Sequence, residues 1–239
     1  FAKFLARGYD QIEMACITRA NIKLCGSHAG VSLAADGPSQ MSLPDIAYFR
    51  SYTQTDDGFG HPACVVFHPA DAVATYHCTV LAANLHGMCY IRTHRPDVDF
   101  IYDPNTKFEI GGSHQLAEGA DLTLVASGYM VTVARKALAQ LAAAGIRCSL
   151  FDAYSFPLNT DPILAAAKKT AGRILTIEDN FVGGLNGAIA EAAARTGAAR
   201  VESMTCQRIP KSCKTPEETL AYLGLSVNDI VHKATTIVR

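Results

Sequence analysis

The stretch from residue 63 to residue 96, ACVVFHPADAVATYHCTVLAANLHGMCYIRTHRP, decides the fold class of this chain. It begins with the apolar run Ala63–Phe67, which predicts a strand covered on both faces. A helix is predicted from Asp71 to about His86, and Met88–Arg92 is predicted to be the next strand. Two strands joined by a helix indicate a parallel sheet. Because ligands of parallel sheets gather at the carboxyl ends of the strands, Thr93–Pro96 is a candidate binding loop.

The same alternation continues on both sides of this stretch. Upstream, the pattern predicts a helix over 1 to about 17, a strand at 22–25, loops at 26–30 and 34–40, a helix at 43–50 and an exposed loop at 52–62. Downstream, it predicts strands at 122–126, 148–151, 173–177 and 201–204, and helices at 131–144, 162–170, 185–196, 215–223 and 226–236.

The pattern loosens between residues 103 and 119, where we place a domain boundary. We therefore predict two α/β domains. Residues 1–110 form the first, with a parallel sheet whose amino-terminal side looks incomplete because no strand precedes the first helix. Residues 111–239 form the second, with a smaller sheet and helices.

The composition excludes several classes of function. The 239 residues carry 21 Lys and Arg against 22 Asp and Glu, which gives a net charge of −1 and no basic excess for nucleic acid. No apolar run approaches the roughly 18 residues that a membrane span needs, and the first residues lack the apolar core of a signal peptide. The eight cysteines have no zinc-site spacing. We interpret them as buried, reduced thiols and predict a cytoplasmic protein without a nucleic-acid or membrane partner.

Two of the histidines, His28 and His94, lie in the polar loops that follow predicted strands. In such a loop an imidazole either contacts a ligand or is an ordinary surface side chain, and the residues alone leave both interpretations open. The chain has no H-x-x-x-H or H-E-x-x-H spacing. A metal site built from its own side chains is therefore not expected.

Arg92 and Arg95 flank the second of these loops. A guanidinium there would suit a phosphate or another anion. The alternative is a surface arginine paired with Asp97 or Asp99, and spacing alone favours that alternative slightly. Asp36 is similarly open, since an aspartate between Ala and Gly either stabilises its own turn or orients a substrate hydroxyl.

Glu178 and Asp179 end a predicted strand, and a glycine-rich stretch at 183–187 precedes the next helix. Paired carboxylates can perform acid–base chemistry, and a helix amino terminus can bind an anion. The stretch lacks G-x-G-x-x-G and a P-loop lysine, and the carboxylates have no facing partner in the sequence. A turn and a structural or capping role are the better interpretations.

Several motifs together resemble the transketolase family. They are ARGYDQIEM at Ala6–Met14, GSHAGVS at Gly26–Ser32, DGPSQM at Asp36–Met41, IRTHRP at Ile91–Pro96, and GRILTIED at Gly172–Asp179 with Gly183 and Gly184. The resemblance is ordered and nearly end to end. It covers the later part of a usual transketolase, namely part of the pyrimidine-binding domain and the whole carboxy-terminal domain. It implies transfer of a two-carbon ketol unit between sugar phosphates of the pentose phosphate pathway on thiamine diphosphate, in a site between two subunits.

The resemblance implies cofactor contacts for three residues. Phe4 matches the aromatic residue that packs on the aminopyrimidine ring, and Phe1 matches a nearby aromatic of that pocket. Gln40 stands where many members have His and others Gln, close to the cofactor and the ketol oxygen, so it is the predicted catalytic residue. A glutamine there donates a hydrogen bond but does not shuttle a proton near neutral pH.

The resemblance implies substrate contacts for three more residues. His28 and Arg95 match the donors that hold the substrate phosphate. Asp36 matches the carboxylate that contacts the sugar hydroxyls.

The departures from the family imply a partner. The family's catalytic glutamate would lie upstream of Phe1, and its diphosphate- and metal-binding domain is missing from these residues. A second chain or segment is therefore expected to carry that domain and to hold thiamine diphosphate through Mg²⁺ or Ca²⁺, in a dimer of the whole assembly. We predict that these residues alone are inactive.

Two alternatives stay open. One is a related enzyme, either 1-deoxyxylulose-5-phosphate synthase or the beta subunit of a 2-oxo-acid dehydrogenase, against which Ser27–Gly30 and Arg92–Pro96 favour transketolase. The other is a non-catalytic assembly subunit of the same fold. Retention of the matched aromatic and phosphate-binding residues argues against that second alternative.

Overall fold

The computed structural model describes all 239 residues. The strands are β1 (Lys23–Gly26), β2 (Cys64–Phe67), β3 (Met88–Arg92), β4 (His114–Ala117), β5 (Leu122–Ala126), β6 (Cys148–Asp152), β7 (Ser155–Phe156), β8 (Arg173–Ile177) and β9 (Arg200–Met204). The helices are α1 (Tyr9–Ile17), α2 (Asp45–Thr53), α3 (Ala72–Asn84), α4 (Tyr129–Ala143), α5 (Asp161–Lys169), α6 (Leu185–Thr196), α7 (Pro216–Leu223) and α8 (Val227–Val238). Two 3₁₀ segments lie at Ala2–Gly8 and Val31–Asp36.

The first sheet has the strand order β1-β3-β2-β7. β1 and β2 lie parallel to β3 on its two sides, as predicted. β7 pairs antiparallel with β2, with Val66 opposite Phe156. This sheet is therefore mixed rather than wholly parallel, because a strand from beyond residue 110 binds backbone groups that β2 would otherwise leave unpaired.

The second sheet has the order β4-β6-β5-β8-β9. β5, β6, β8 and β9 are parallel, and β4 runs antiparallel to β6. With five strands it is the larger sheet, so the prediction of a smaller second sheet was wrong. The added strand β4 lies in the stretch interpreted as a boundary, where His114–Ala117 has no apolar run to indicate it.

The local differences from the predicted elements have identifiable causes. The first helix is split, because a 3₁₀ segment ends at Gly8 and α1 begins at Tyr9. The predicted loop at 34–40 overlaps a 3₁₀ segment that bends at Ala34, where φ is +52°. The strands at 122–126 and 173–177 and the helix at 185–196 have the predicted bounds.

The two halves of the chain share buried cores. One cluster joins Leu33 and Met41 of the first half to Leu124, Leu175 and Leu220 of the second. All eight cysteines are free, and six of them are buried, in agreement with the thiol interpretation. No helix has both the length and the apolar character needed to cross a membrane.

Candidate functional site

The carboxyl ends of both sheets meet around Arg92, the last residue of β3. Its Nε donates to Oδ2 of Asp45 at 2.9 Å, and its Nη1 donates to Oδ1 of Asp179, also at 2.9 Å. Nη1 lies 2.8 Å from Nε2 of His68, and Nη2 donates to the carbonyl oxygen of Ser42 at 3.1 Å. We call Arg92, Asp45, Asp179 and His68 the Arg92 cluster. It ties the first sheet to the residues just beyond β8 in the second.

The protonation states of this cluster follow from burial and proximity. Burial alone would lower the pKa of Arg92, but the carboxylates of Asp45 and Asp179 raise it above its usual range. Burial, and next the charge of Arg92, hold the pKa of His68 well below its usual range, so its imidazole is neutral. Its Nδ1 is 3.0 Å from Oγ of Ser127, just past β5. The cluster is thus a buried ionic junction rather than an open anion site.

Arg95 and Asp36, two of the predicted substrate-binding residues, contact each other. Nη1 of Arg95 lies 3.0 Å from Oδ1 of Asp36, and the two side chains are 46% and 33% exposed. The surface pairing considered for Arg92 and Arg95 was wrong, since neither forms a salt bridge with Asp97 or Asp99. The carboxylates that pair with these arginines come from distant parts of the chain. They are Asp45 and Asp179 for Arg92, and Asp36 for Arg95.

The loop that carries His28 is held against the Arg92 cluster. Gly30 has a φ of +77°, and a Cβ added there would lie 1.8 Å from Oδ2 of Asp179. The Gly30 amide donates to the carbonyl oxygen of Ser42 at 3.1 Å, and the Ala29 amide donates to that of Thr93 at 3.0 Å. Only glycine allows this close approach of the backbone.

Phe1, Phe4 and His28 form an aromatic patch. The ring centroids are 4.4 Å apart for Phe1 and His28, and 5.9 Å apart for Phe1 and Phe4. The Ala2 amide donates to the carbonyl oxygen of Ser27 at 2.7 Å, which fixes the amino-terminal segment beside the loop. Phe1 is 46% exposed and Phe4 is 38% exposed. Three of the six predicted site residues are therefore brought together with their rings partly open to solvent.

This patch fits the aminopyrimidine ring of thiamine diphosphate. Partly exposed, tilted rings can enclose a flat heterocycle by stacking and edge contacts. The Arg7 guanidinium lies 4.9 Å from the Phe4 ring centroid and covers part of that ring. No group of three or more His, Cys, Asp or Glu side chains is arranged to hold a metal ion.

Gln40 lies half-buried in the turn that follows Asp36. Its backbone amide donates to the carbonyl oxygen of Gly37 at 3.1 Å, and Gly37 has a φ of +83°. The turn thus fixes the backbone from which the Gln40 amide group projects.

His94 is not an ordinary surface side chain. Burial lowers its pKa, although the nearby carboxylate of Asp179 opposes that shift. Its Nδ1 is buried and has no hydrogen-bond partner, and its ring centroid is 5.6 Å from that of Tyr129. The structure therefore contradicts the surface interpretation for this histidine.

Glu178 caps α6 and is not free for acid–base work. Its carboxylate accepts from the amides of Leu185 at 2.8 Å and Asn186 at 2.9 Å, and from Nδ2 of Asn180 at 2.8 Å. A Cβ at Gly184 would lie 2.4 Å from its Oε2. The capping interpretation of Glu178 is confirmed, whereas its neighbour Asp179 belongs to the Arg92 cluster.

The Arg92 cluster is the feature that sequence reasoning missed. Asp45 was not a candidate site residue, because it lies in the first turn of α2, where an acidic side chain is common. One signal was available: Arg92 directly follows the apolar residues Met88–Ile91 at the end of a predicted strand of a parallel sheet, and a buried guanidinium requires buried acceptors.

Comparisons with known proteins identify the family of both halves. The chain matches the family model described as transketolase, pyrimidine binding domain, over residues 1–99, and that described as transketolase, C-terminal domain, over residues 111–230. It is 39% identical over 235 residues to "Transketolase-like protein 1" of Bos taurus and 39% identical over 229 residues to "Transketolase" of Homo sapiens. These alignments cover 97% and 94% of this chain but 38% and 35% of those proteins. The chain thus spans little more than a third of their length.

A solved structure titled "Split gene transketolase, inactive beta4 tetramer" is similar over 100% of this chain and 75% of its own. The TM-score is 0.84, with 31% sequence identity.

Proposed function

Because this chain belongs to the transketolase family, we propose that it is one part of a thiamine-diphosphate-dependent enzyme that transfers a two-carbon ketol unit between sugar phosphates. One observation carries the proposal. The loop that carries His28 of the aromatic patch is hydrogen-bonded to the loop that carries Arg95, since the Ala29 amide donates to the Thr93 carbonyl oxygen. Arg95 in turn forms an ion pair with Asp36.

Each matched residue has a task that suits its side chain. Thiamine diphosphate, when bound, supplies the nucleophilic carbon for ketol transfer. Phe1 and Phe4 enclose its aminopyrimidine ring, and Gln40 donates a hydrogen bond to the ketol oxygen.

The sugar phosphate is held by charged groups. His28 and Arg95 donate to the phosphate, and Asp36 accepts from a sugar hydroxyl. Asp36 also orients Arg95, whose guanidinium has five N–H donors, so that donors remain for the phosphate.

The diphosphate and its Mg²⁺ or Ca²⁺ are assigned to a partner chain or segment. These residues offer no metal-binding cluster, and the two matched family regions are the pyrimidine-binding and C-terminal ones. The similarity to a protein titled as an inactive split-gene transketolase tetramer supports the same dependence here. We propose a dimer of the whole assembly, and a cytoplasmic location because eight free thiols suit a reducing compartment.

The partner would be identified by native mass spectrometry of the protein from its natural source. Ketol transfer would then be assayed with thiamine diphosphate and Mg²⁺, for these 239 residues alone and for the complete assembly. We expect no turnover alone and turnover in the assembly. Turnover by these residues alone would remove the partner requirement, and an assembly without ketol transfer would refute the proposed activity.

A matched pair of variants tests the cofactor assignment within the active assembly. Phe4→Ala should raise the KM for thiamine diphosphate about tenfold or more, since it removes an enclosing aromatic ring. Phe59→Ala, an exposed aromatic of the 52–62 loop outside the patch, should leave that KM unchanged. Equal KM values for both variants would refute the role of Phe4.

A further inference from the structure

A cavity of about 290 Å³ lies beside Arg95, between the 3₁₀ segment Val31–Asp36 and the start of α7. Its polar and charged lining comes from Ser32, Arg95, Asp97 and Lys214. Lys214 belongs to the second half of the chain, which the family resemblance leaves without any site residue.

Ser32 lies at the wall of this cavity. Its side chain is buried, with 1% relative exposure, and its Oγ has no hydrogen-bond partner. Buried hydroxyls are almost always hydrogen-bonded, because leaving one unpaired costs free energy. Ser32 therefore leaves one unpaired polar group at the wall of the cavity.

Lys214 is held at the cavity by the fold. Its backbone amide donates to Oε2 of Glu218 at 2.9 Å, and Thr215 caps α7 through the Glu218 amide. The preceding segment packs closely on the turn before Gln40, since a Cβ at Gly37 would lie 2.4 Å from Oγ of Ser212. Lys214 forms no salt bridge, so its ammonium group is available to an anion.

The mixed lining identifies the class of ligand. Arg95 and Lys214 are two cations that suit a phosphate, while Asp97 suits a hydroxyl group. Asp97 also disfavours a bare anion, because its carboxylate would repel one that brings no hydroxyl donors. A phosphorylated polyol brings a phosphate for the two cations and a hydroxyl for Asp97.

We propose that Lys214 is a second phosphate-binding cation, which acts with Arg95 to hold the sugar phosphate across the two halves of the chain. This inference rests on the proposed function, because it names a further residue of the same substrate site.

The test is isothermal titration of the complete assembly with ribose 5-phosphate, with unphosphorylated ribose as the reference ligand. Lys214→Met removes the charge and keeps most of the side-chain length. Lys211→Met is the matched control, because the Lys211 ammonium lies 4.3 Å from the Tyr222 ring centroid and does not line the cavity. Unchanged melting temperatures would show that both variants fold.

We expect Lys214→Met to weaken binding of ribose 5-phosphate about tenfold or more, the usual effect of a lost charge-assisted hydrogen bond. Lys211→Met and the affinity for ribose should change little. The proposal is overturned if the unmodified assembly does not bind ribose 5-phosphate saturably, or if assemblies carrying the two variants bind it equally.

The assembly distinguishes this inference from the proposed function. If the Lys214→Met assembly transfers ketol units with an unchanged KM for ribose 5-phosphate, Lys214 does not bind the phosphate, and the proposed activity is still supported. Lys214-dependent binding without any ketol transfer by the assembly would keep the site and refute the activity.

Discussion

The Arg92 guanidinium and the Asp179 carboxylate, 87 residues apart in the chain, form a buried ion pair at 2.9 Å that joins the two sheets. The loops that carry His28 and Arg95 both begin at this junction. Its integrity therefore sets the relative positions of the groups proposed to bind cofactor and substrate.

Replacing Arg92 with methionine should destabilise the protein strongly. The variant leaves Asp45 and Asp179 buried without their cation, and breaking a buried pair in this way costs about 3–5 kcal/mol. Urea denaturation measures the free energy of unfolding. Arg95→Met, which breaks only a partly exposed pair, should cost less than about 1 kcal/mol. Similar losses in the two variants would contradict the assigned role of the junction.

Gly30→Ala should destabilise the folded protein far more than Gly145→Ala. Both glycines have a φ of +77°, so both variants incur a backbone cost. That cost is greater at Gly30, where ψ is −174°, because this combination of angles is essentially confined to glycine. At Gly145 an added Cβ meets nothing within 4 Å, whereas at Gly30 it overlaps Oδ2 of Asp179. We expect Gly30→Ala to lose at least about 3 kcal/mol of folding free energy. An equal loss of folding free energy in the two variants would show that the Arg92 cluster moves to accommodate the added methyl group.

The stability of the protein should respond to pH through Asp152. Burial raises the pKa of Asp152 to about 7, opposed by the hydrogen bond from the Tyr102 hydroxyl and assisted by the charge of Asp71. Between about pH 4 and pH 7 the folded state keeps a proton that the unfolded chain has released. This group's contribution is therefore complete below pH 4 and is lost as the pH rises through 7.

Asp152→Asn tests this pH dependence, because the amide does not titrate and can still accept from Tyr102. From pH 4 to pH 7 the free energy of unfolding of the variant should rise relative to the parent protein by about 2–4 kcal/mol. Denaturation at stepped pH values measures the difference. A difference that stays constant across this range would refute the assignment.

Arg95→Met should impair use of phosphorylated acceptors selectively. In the active assembly, the KM for ribose 5-phosphate should rise about tenfold or more, while the KM for ribose changes little. Arg135→Met removes an exposed arginine of α4 and serves as the control. If both acceptors are affected equally, Arg95 positions the site rather than binding the phosphate.

Gln40→Leu should lower kcat about 10–100-fold and leave the KM for thiamine diphosphate nearly unchanged, because it removes a hydrogen bond made during reaction. Gln40→His should recover part of kcat and introduce a pH dependence near 6.5. Steady-state kinetics across pH measure both effects. Full activity of Gln40→Leu would exclude Gln40 from the chemistry.

Local patterns predicted most of the helices and strands. β3 and β8 were recognisable because five mostly apolar residues follow one another between breakers. β7 was not, since two residues carry no period, and its pairing with β2 depends on contacts about 90 residues away in the chain. A strand as short as β7 forms because it pairs with the exposed edge of a neighbouring strand, here β2. Its own two residues do not specify it.

The motifs named candidate site residues, but they gave no information on the contacts between those residues. The aromatic residues and Arg95 were named from motifs, and the structure brings Phe1 beside His28 and Arg95 beside Asp36. Arg92 was misjudged because its acceptors, Asp45 and Asp179, lie 47 and 87 residues away. No spacing rule spans such distances, since they are set by how the two sheets pack.

The strand β7 also has a consequence for synthesis of the protein, because it completes the first sheet from the second half of the chain. A ribosome that has synthesised residues 1–110 has produced β1, β2 and β3, but β2 has no partner on one side until residue 156 emerges. The nascent first half therefore exposes a strand edge that invites aggregation or chaperone binding throughout that interval. For the same reason, recombination that exchanged the second half for an unrelated domain would leave the first sheet without its edge strand β7.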